Sequence, residues 1–147
     1  MKISGSYILP LAPERAYHIL QDPAILAQAI PGCESLEKIG TDEYRMKMKV
    51  LLAALSGAFE GKVRITDQSP PSSFRLIVEG TGRIGFVKGE GLLTFLATAD
   101  SAASTIVSYE GDAQVGGTLA AVGQRLIDGT AKMMIKKFFD KLGSLAN

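Results

Sequence analysis

The sequence predicts an α+β fold in which an antiparallel sheet of about seven strands is covered by one long C-terminal helix. Two-residue alternation of apolar and polar side chains dominates from about residue 33 to residue 115, as expected for strands with one buried face. The segments between these strands are short and turn-like, which favours antiparallel pairing. A long stretch of helical periodicity appears only after residue 118, so a single helix must cover the apolar face of the sheet.

The first 30 residues predict one strand and two short helices. The segment KISGSYIL, residues 2–9, alternates as a strand does, and Pro10 helps to end it. Pro13 stands at the start of the first helix, because proline is well tolerated at the first helical position. Asp22 and Pro23 repeat this arrangement for the second helix, with Asp22 as its N-cap.

Six further strands are predicted between the second short helix and the long helix. The clearest covers residues 44–50, where Tyr, Met and Val side chains alternate with Arg and Lys. The others are CESLEKI, the segments around 59–65 and 74–79, GLLTFLATA and STIVSYEGDAQV. The carboxylates of these strands fall mostly on the polar phase and form no obvious acid–base pair: Glu60, Glu79, Glu90, Glu110 and Asp112.

The long helix is predicted from Leu119 to Gly143, with a Gly-Gly-Thr segment before it. The side of this helix that faces the sheet carries the small residues Gly123, Thr130 and Ala131. Two interpretations remain open. Either the missing side-chain volume leaves a cavity, or the backbone packs closely at Gly123.

Two apolar side chains of the long helix fall on its charged side. On a helical wheel Ile135 and Phe139 lie between Asp128 and Lys132. Such side chains are either ordinary scatter or part of a partner-binding surface, and a homodimer is one form that this surface could take.

Length and composition predict one domain, residues 1–147, without a metal, a cofactor or a bound nucleic acid. A net charge of +1 offers no electrostatic footprint for nucleic acid. Cys33 and His18 are the only cysteine and histidine, which excludes an internal disulfide framework and a zinc-like cluster. The N-terminus is too polar for a signal peptide and no run of about 18 apolar residues occurs, so we expect a cytoplasmic protein that does not span a membrane.

Three motifs could carry chemistry, and each has a simpler structural explanation. The segment Gly80–Gly85, GTGRIG, matches the dinucleotide pattern G-x-G-x-x-G, but a strand follows it where a helix is needed, so its glycines indicate bulges and bends. His18 and Glu14 are spaced as a surface pair on a helix rather than as a proton shuttle. Cys33 lacks a histidine near it in sequence and is best explained as a buried structural thiol.

Three segments resemble the CoxG family, named after the G subunit of carbon monoxide dehydrogenase, within the START-like (SRPBCC) superfamily: DPAILAQAIPGCESLEKIG, FEGKVRITDQSPP and VGGTLAAVGQRLIDGTAKMMIKKFFDKL. The most specific parts are the Ile-Pro-Gly-Cys turn, the Val-Gly-Gly link and the segment Gly-Gln-Arg-Leu-Ile. The resemblance implies a helix-grip (Bet v 1-like) fold, in which a seven-stranded sheet grips the C-terminal helix around an apolar cavity.

The same resemblance implies a non-catalytic accessory role. Proteins of this family assist a molybdenum hydroxylase or tether it to the membrane, where its electrons enter the respiratory chain. Longer members carry a C-terminal membrane anchor, whereas this sequence stops at Asn147. We therefore expect any contact with the inner face of the membrane to be peripheral and to use the folded surface.

Strand phase and the helical wheel predict a ligand cavity between the long helix and the sheet. Tyr44, Tyr109 and Thr130 are the only polar side chains expected to point inward. The predicted lining is Met46, Met48, Phe59, Phe74, Leu76, Val107, Tyr109, Ile127, Thr130, Met134 and Phe138.

The segment KVLLAALSGAFEG, residues 49–61, places an apolar run where a hairpin should turn. Leu51, Leu52 and Leu55 would form an apolar lip for ligand entry or for docking to a partner or membrane surface, unless a longer strand buries them. With the cavity, the lip favours a module that binds a lipid or a quinone-like molecule. The alternatives are a START-like enzyme of the cyclase or aromatase type and an interaction scaffold without a ligand.

Overall fold

A computed structural model describes residues 1–52 and 55–145, except for the side chains of Leu52 and Leu55. The elements are the strands β1 (Lys2–Leu9), β2 (Cys33–Gly40), β3 (Glu43–Leu52), β4 (Leu55–Ser69), β5 (Ser73–Gly82), β6 (Gly85–Thr98) and β7 (Ser101–Gly116), and the helices α1 (Pro13–Ile19), α2 (Pro23–Ala29) and α3 (Gln124–Leu145). A short 3₁₀ helix, Gly117–Val122, lies between β7 and α3.

The seven strands form one antiparallel sheet in the order β1-β7-β6-β5-β4-β3-β2. All neighbours from β2 to β7 are consecutive hairpins, and β1 pairs with β7, so that β1 and β2 are the two edges. The sheet is curved, and α3 packs on its inner face. The predicted α+β helix-grip architecture is therefore confirmed.

The two short helices begin as their sequences predict. The carboxylate of Asp22 accepts a hydrogen bond from the backbone N–H of Ala24 at 3.0 Å and caps α2. Proline is the first residue of both helices, where its missing N–H costs no intrahelical hydrogen bond.

The predicted bounds of the long helix are wrong at both ends. Residues 117–122 form the 3₁₀ helix, and Gly123 adopts a φ of 100° that an α-helix cannot contain, so α3 starts at Gln124. At the other end Gly143 lies within the helix, which continues to Leu145. A Cβ added at Gly123 would meet no atom within 4 Å, so the interpretation of close backbone packing there is also wrong.

The prediction that Ile135 and Phe139 lie on a charged, outward side of α3 is wrong as well. Phe139 is only 5% exposed, and its ring stacks on that of Tyr7 with 4.5 Å between centroids. Ile135 packs against the same core. The reason is that the curved sheet and α2 together enclose a wider sector of α3 than one flat sheet face would.

A buried hydroxyl that no sequence pattern indicates helps to hold β7 against the N-terminal segment. Thr105 is fully buried, and its Oγ1 donates a hydrogen bond to the carbonyl of Leu11 at 2.6 Å. Cys33 is half-buried, and burial raises the pKa of its thiol, which accords with a structural role.

Candidate ligand-binding site

Two adjoining apolar cavities lie between α3 and the inner face of the sheet. Their volumes are about 210 and about 350 Å³. The cavities share four lining residues, which form the boundary between them: Val78, Val87, Ala113 and Met134. The first cavity extends towards the 3₁₀ helix, and the second extends towards α2.

The first cavity brings together six of the side chains predicted to line a ligand site. They come from β3, β4 and α3, and they are Met46, Met48, Phe59, Ile127, Thr130 and Met134. Thr130 and Ala131 supply the helical side of this cavity. The interpretation that small helix residues leave a cavity therefore agrees with the structure at these two positions.

The second cavity is lined by Leu76, Tyr109 and Phe138 from the predicted set, together with Met134. Phe74 and Val107 line neither cavity, because α1 covers their end of the sheet and fills it. Tyr17 of α1 packs its ring edge-on against Phe74 with 5.4 Å between centroids, and Val107 is fully buried beside them.

Several glycines on the inner face of the sheet line the two cavities. Gly61 and Gly80, which face each other across β4 and β5, line the first cavity. Gly89, Gly91 and Gly111 line the second. A Cβ added at Gly80 would meet nothing within 4 Å, so this glycine borders open space.

Sequence reasoning missed these glycines, although a signal was present. Gly80 lies two residues after Val78 and so continues the inward phase of β5. Bulges and bends therefore explain only part of the GTGRIG segment. Its second half forms the β5–β6 hairpin, where Gly82 pairs with Gly85, and no helix follows.

The cavities contain few polar groups. Among the described residues, no Lys, Arg, His or Cys side chain lines either cavity. Glu79 borders the first cavity, and Glu90, Glu110 and Asp112 border the second, but all four are solvent-exposed residues on the polar phase of their strands. The polar side chains that remain are Thr130 and Tyr109, and burial raises the pKa of the Tyr109 phenol.

Tyr44, which was also predicted to point inward, belongs to the core rather than to a cavity. Its hydroxyl donates a hydrogen bond to the carbonyl of Gln21 at 3.2 Å. Burial, and secondarily the charge of Asp42, raise the pKa of this phenol. Because Tyr44 is already bonded to the backbone, it is poorly placed to contact a ligand.

The predicted apolar lip is partly visible. Leu51 is 74% exposed on β3, opposite Ser56 of β4, and the preceding residue Val50 lines the first cavity. The side chains of Leu52 and Leu55 lie outside the described part of the structure. Because successive side chains of a strand point to opposite faces, Val50 faces the cavity and Leu51 lies on the outer face of the sheet. The lip therefore stays a prediction.

The family model of CoxG, the G subunit of carbon monoxide dehydrogenase, matches residues 5–147. The chain belongs to this family. A comparison with curated protein sequences finds no significant match. A solved structure described as a conserved protein from Geobacillus kaustophilus is 38% identical, with a TM-score of 0.91 over 98% of this chain and 93% of that one.

More distant solved structures share the fold. A START superfamily protein from Mycobacterium smegmatis is 13% identical, with a TM-score of 0.70 over 97% of this chain and 94% of its own. The Zhui aromatase/cyclase from Streptomyces sp. R1128 is 12% identical, with a TM-score of 0.68 over 99% and 93%. At these identities the likeness confirms the START-like fold and carries no information on activity.

Within residues 1–52 and 55–145, no three His, Cys, Asp or Glu residues lie close enough together to hold a metal ion. None of the described helices is long and apolar enough to cross a membrane.

Proposed function

We propose that this member of the CoxG family binds a lipophilic small molecule, a lipid or an isoprenoid quinone, in the paired cavities under α3. The observation that carries the proposal is the open, apolar space beside Gly80 and Thr130. Cavities with mostly apolar walls and a few polar groups are the usual sites of small ligands. Quinone is suggested by the respiratory destination that the family context implies.

We propose further that the role is accessory to a molybdenum hydroxylase and not catalytic. The family name supports an accessory subunit. The lining also offers little for acid–base catalysis, because apart from four solvent-exposed carboxylates its polar side chains are one threonine hydroxyl and one phenol whose pKa is raised. A cyclase or aromatase activity on an apolar substrate is the alternative, and it would need more polar groups than these.

The apolar lip is proposed to contact a partner or the inner face of the membrane when ligand enters or leaves. Leu51 exposes a large apolar side chain on the outer face of β3, one residue after the cavity-lining Val50, and exposed apolar surfaces are often used for docking. This contact would place a cytoplasmic protein at the membrane surface through its folded domain.

The direct test is native mass spectrometry of freshly purified protein, followed by organic extraction of the co-purifying molecule. We expect an adduct that is lost on extraction, and we expect the Gly80→Ile variant to carry less of it. Gly129→Ile is the matched control, because an added Cβ at Gly129 also meets nothing within 4 Å but this residue is exposed on α3.

Two results would contradict the proposal. One is an unliganded mass combined with no uptake of the neutral lipophilic dye Nile red. The other is conversion of the extracted molecule into a product by fresh protein, which would favour the enzyme. An adduct of equal abundance in wild type and Gly80→Ile would place the ligand outside the first cavity.

A further inference from the structure

The two edges of the sheet are protected to very different degrees. The β2 edge has two register irregularities, carries the charged residues Glu34, Glu37 and Lys38, and has α2 packed beside it. Bulges, charges and covering elements are the usual means by which proteins prevent pairing at a sheet edge. The β1 edge has none of these over Ile3–Leu9: its register with β7 is regular, and its one charged residue, Lys2, stands at the end.

The hydrogen-bond parity of β1 shows which of its backbone groups face the open edge. Met1 and Ala113 exchange both backbone hydrogen bonds, at 3.0 and 2.8 Å, and so form a hydrogen-bonded pair. In an antiparallel ladder such pairs alternate with non-bonded pairs. The odd residues of β1 therefore bond to β7, whereas the even residues direct their N–H and C=O groups away from it: Lys2, Ser4, Ser6 and Ile8.

These four even residues are solvent-exposed, and Ile8 is 67% exposed. Within the described part of the chain, no turn, loop or side-chain hydrogen bond reaches their outward backbone groups. The edge is thus a row of unpaired donors and acceptors, flanked by two serines and an isoleucine, without a charge near its centre.

We propose that a second copy of this chain pairs with the β1 edge, antiparallel and across a two-fold axis. The outward N–H and C=O groups belong to the even residues of β1, so each even residue must lie opposite an even residue of the second copy. A two-fold axis at Gly5 meets this condition along the whole strand. Ser4 then pairs with Ser6 of the second copy, and Lys2 pairs with Ile8 of the second copy. A two-fold contact uses the same surface on both subunits, as most homodimers do.

Charge favours a second copy over a charged peptide as the occupant. The centre of β1 is neutral, so two copies do not repel each other there, and β1 itself offers no countercharge to an acidic or basic segment. The nearest carboxylate, that of Glu110, stands opposite Ser4 on β7, one strand behind the edge. The two Lys2 residues would stand roughly 20 Å apart, six residues along the strand, which is beyond the screening length of about 10 Å at ordinary salt. The contact also differs from the α3 surface around Ile135 and Phe139, because these two side chains pack against the core of the same chain.

Sedimentation velocity over a concentration series tests the proposal with matched variants. Ser6→Lys places a lysine opposite Ser4 of the second copy, so the two introduced lysines lie on a diagonal of the strand pair, roughly 7–8 Å apart, where their like charges oppose pairing. Ser108→Lys places the same charge on the neighbouring residue of β7, which faces Ser6 in the register but is not at the edge. We expect wild type and Ser108→Lys to reach twice the 15.6 kDa chain mass at high concentration, and Ser6→Lys to need at least about 10-fold more protein.

Amide hydrogen exchange on the wild type gives a second readout that needs no variant. We expect the N–H groups of Ser4, Ser6 and Ile8 to exchange at least about 10-fold more slowly at high than at low protein concentration, while those of Gly5 and Tyr7 stay protected throughout. A monomer at about 1 mM overturns the proposal. So does a dimer in which Ser6→Lys behaves as Ser108→Lys does, or in which the even amides remain unprotected. Both readouts are independent of whether the cavities hold a ligand.

Discussion

Filling the first cavity with the protein's own side chain should make the fold more stable and the ligand site smaller. Gly80 is the position of choice, because an added Cβ there has free space and the residue is not in the left-handed region of φ. Burying an isoleucine side chain contributes about 1.5–3 kcal/mol, and its β-branch suits a strand. Lost rotamer freedom costs about 0.5–1 kcal/mol. We therefore expect Gly80→Ile to raise the free energy of unfolding by about 1–2 kcal/mol.

The assay measures the thermal midpoint and Nile red binding on the same samples. For a chain of this size 1 kcal/mol corresponds to about 2–4 °C, so the midpoint should rise by roughly 2–8 °C while dye binding falls. Gly61→Ala is the informative contrast: it lies opposite Gly80 on the same cavity, but its Cβ would overlap the carbonyl oxygen of Glu79, so the midpoint should fall. A lowered midpoint in Gly80→Ile with dye binding intact would refute the assignment of open space at this residue.

Three further predictions concern the lip, the buried hydroxyl and the buried phenols. Leu51→Ser should change the free energy of unfolding by less than about 0.5 kcal/mol and should weaken co-sedimentation with lipid vesicles; a collapsed midpoint would show that the leucine is core. Thr105→Val should cost about 1–3 kcal/mol by calorimetry, because the buried carbonyl of Leu11 loses its donor, and a neutral result would contradict this. Burial raises the pKa of the Tyr17 and Tyr109 phenols above the ordinary value of 10.0. Their contribution to stability is therefore complete below pH 10 and is lost as the pH rises through the pKa values of the folded state. Ultraviolet titration should show these two phenols ionising at higher pH than free tyrosine, and ionisation at the same pH would contradict their burial.

Local patterns predicted most of the fold. Two-residue alternation located the strands, and the Asp22-Pro23 pair located the start of α2, because each depends only on near neighbours in sequence. The pairing of β1 with β7 was not predicted, because no local signal records which distant strand lies beside the first one. The start of α3 was misplaced because the φ of Gly123 is set by how the 3₁₀ helix packs, which periodicity does not record.

Sequence patterns predicted the candidate site only in part, because they do not record how the sheet curves. Six predicted side chains meet in the first cavity because strand phase decides which face they share. Phase cannot tell which part of that face remains open, and so Phe74 and Val107 were grouped with the lining although α1 packs over them. The same difficulty put Phe139 on the wrong side of α3, since a wheel cannot show how far a curved sheet wraps around a helix.

The cavities depend on small residues in two distant parts of the chain, the sheet and α3. Gly80 leaves a side chain out of the sheet, and Thr130 and Ala131 present small ones from α3 above the same region. Each large side chain that is absent forgoes about 1.5–3 kcal/mol of burial, in a domain whose total stability is of the order of 5–15 kcal/mol. If only one wall had small residues, large side chains from the opposite wall would fill the space that they leave. Their coincidence on both walls leaves space that costs stability, and a bound ligand would recover part of that loss by restoring the missing contacts.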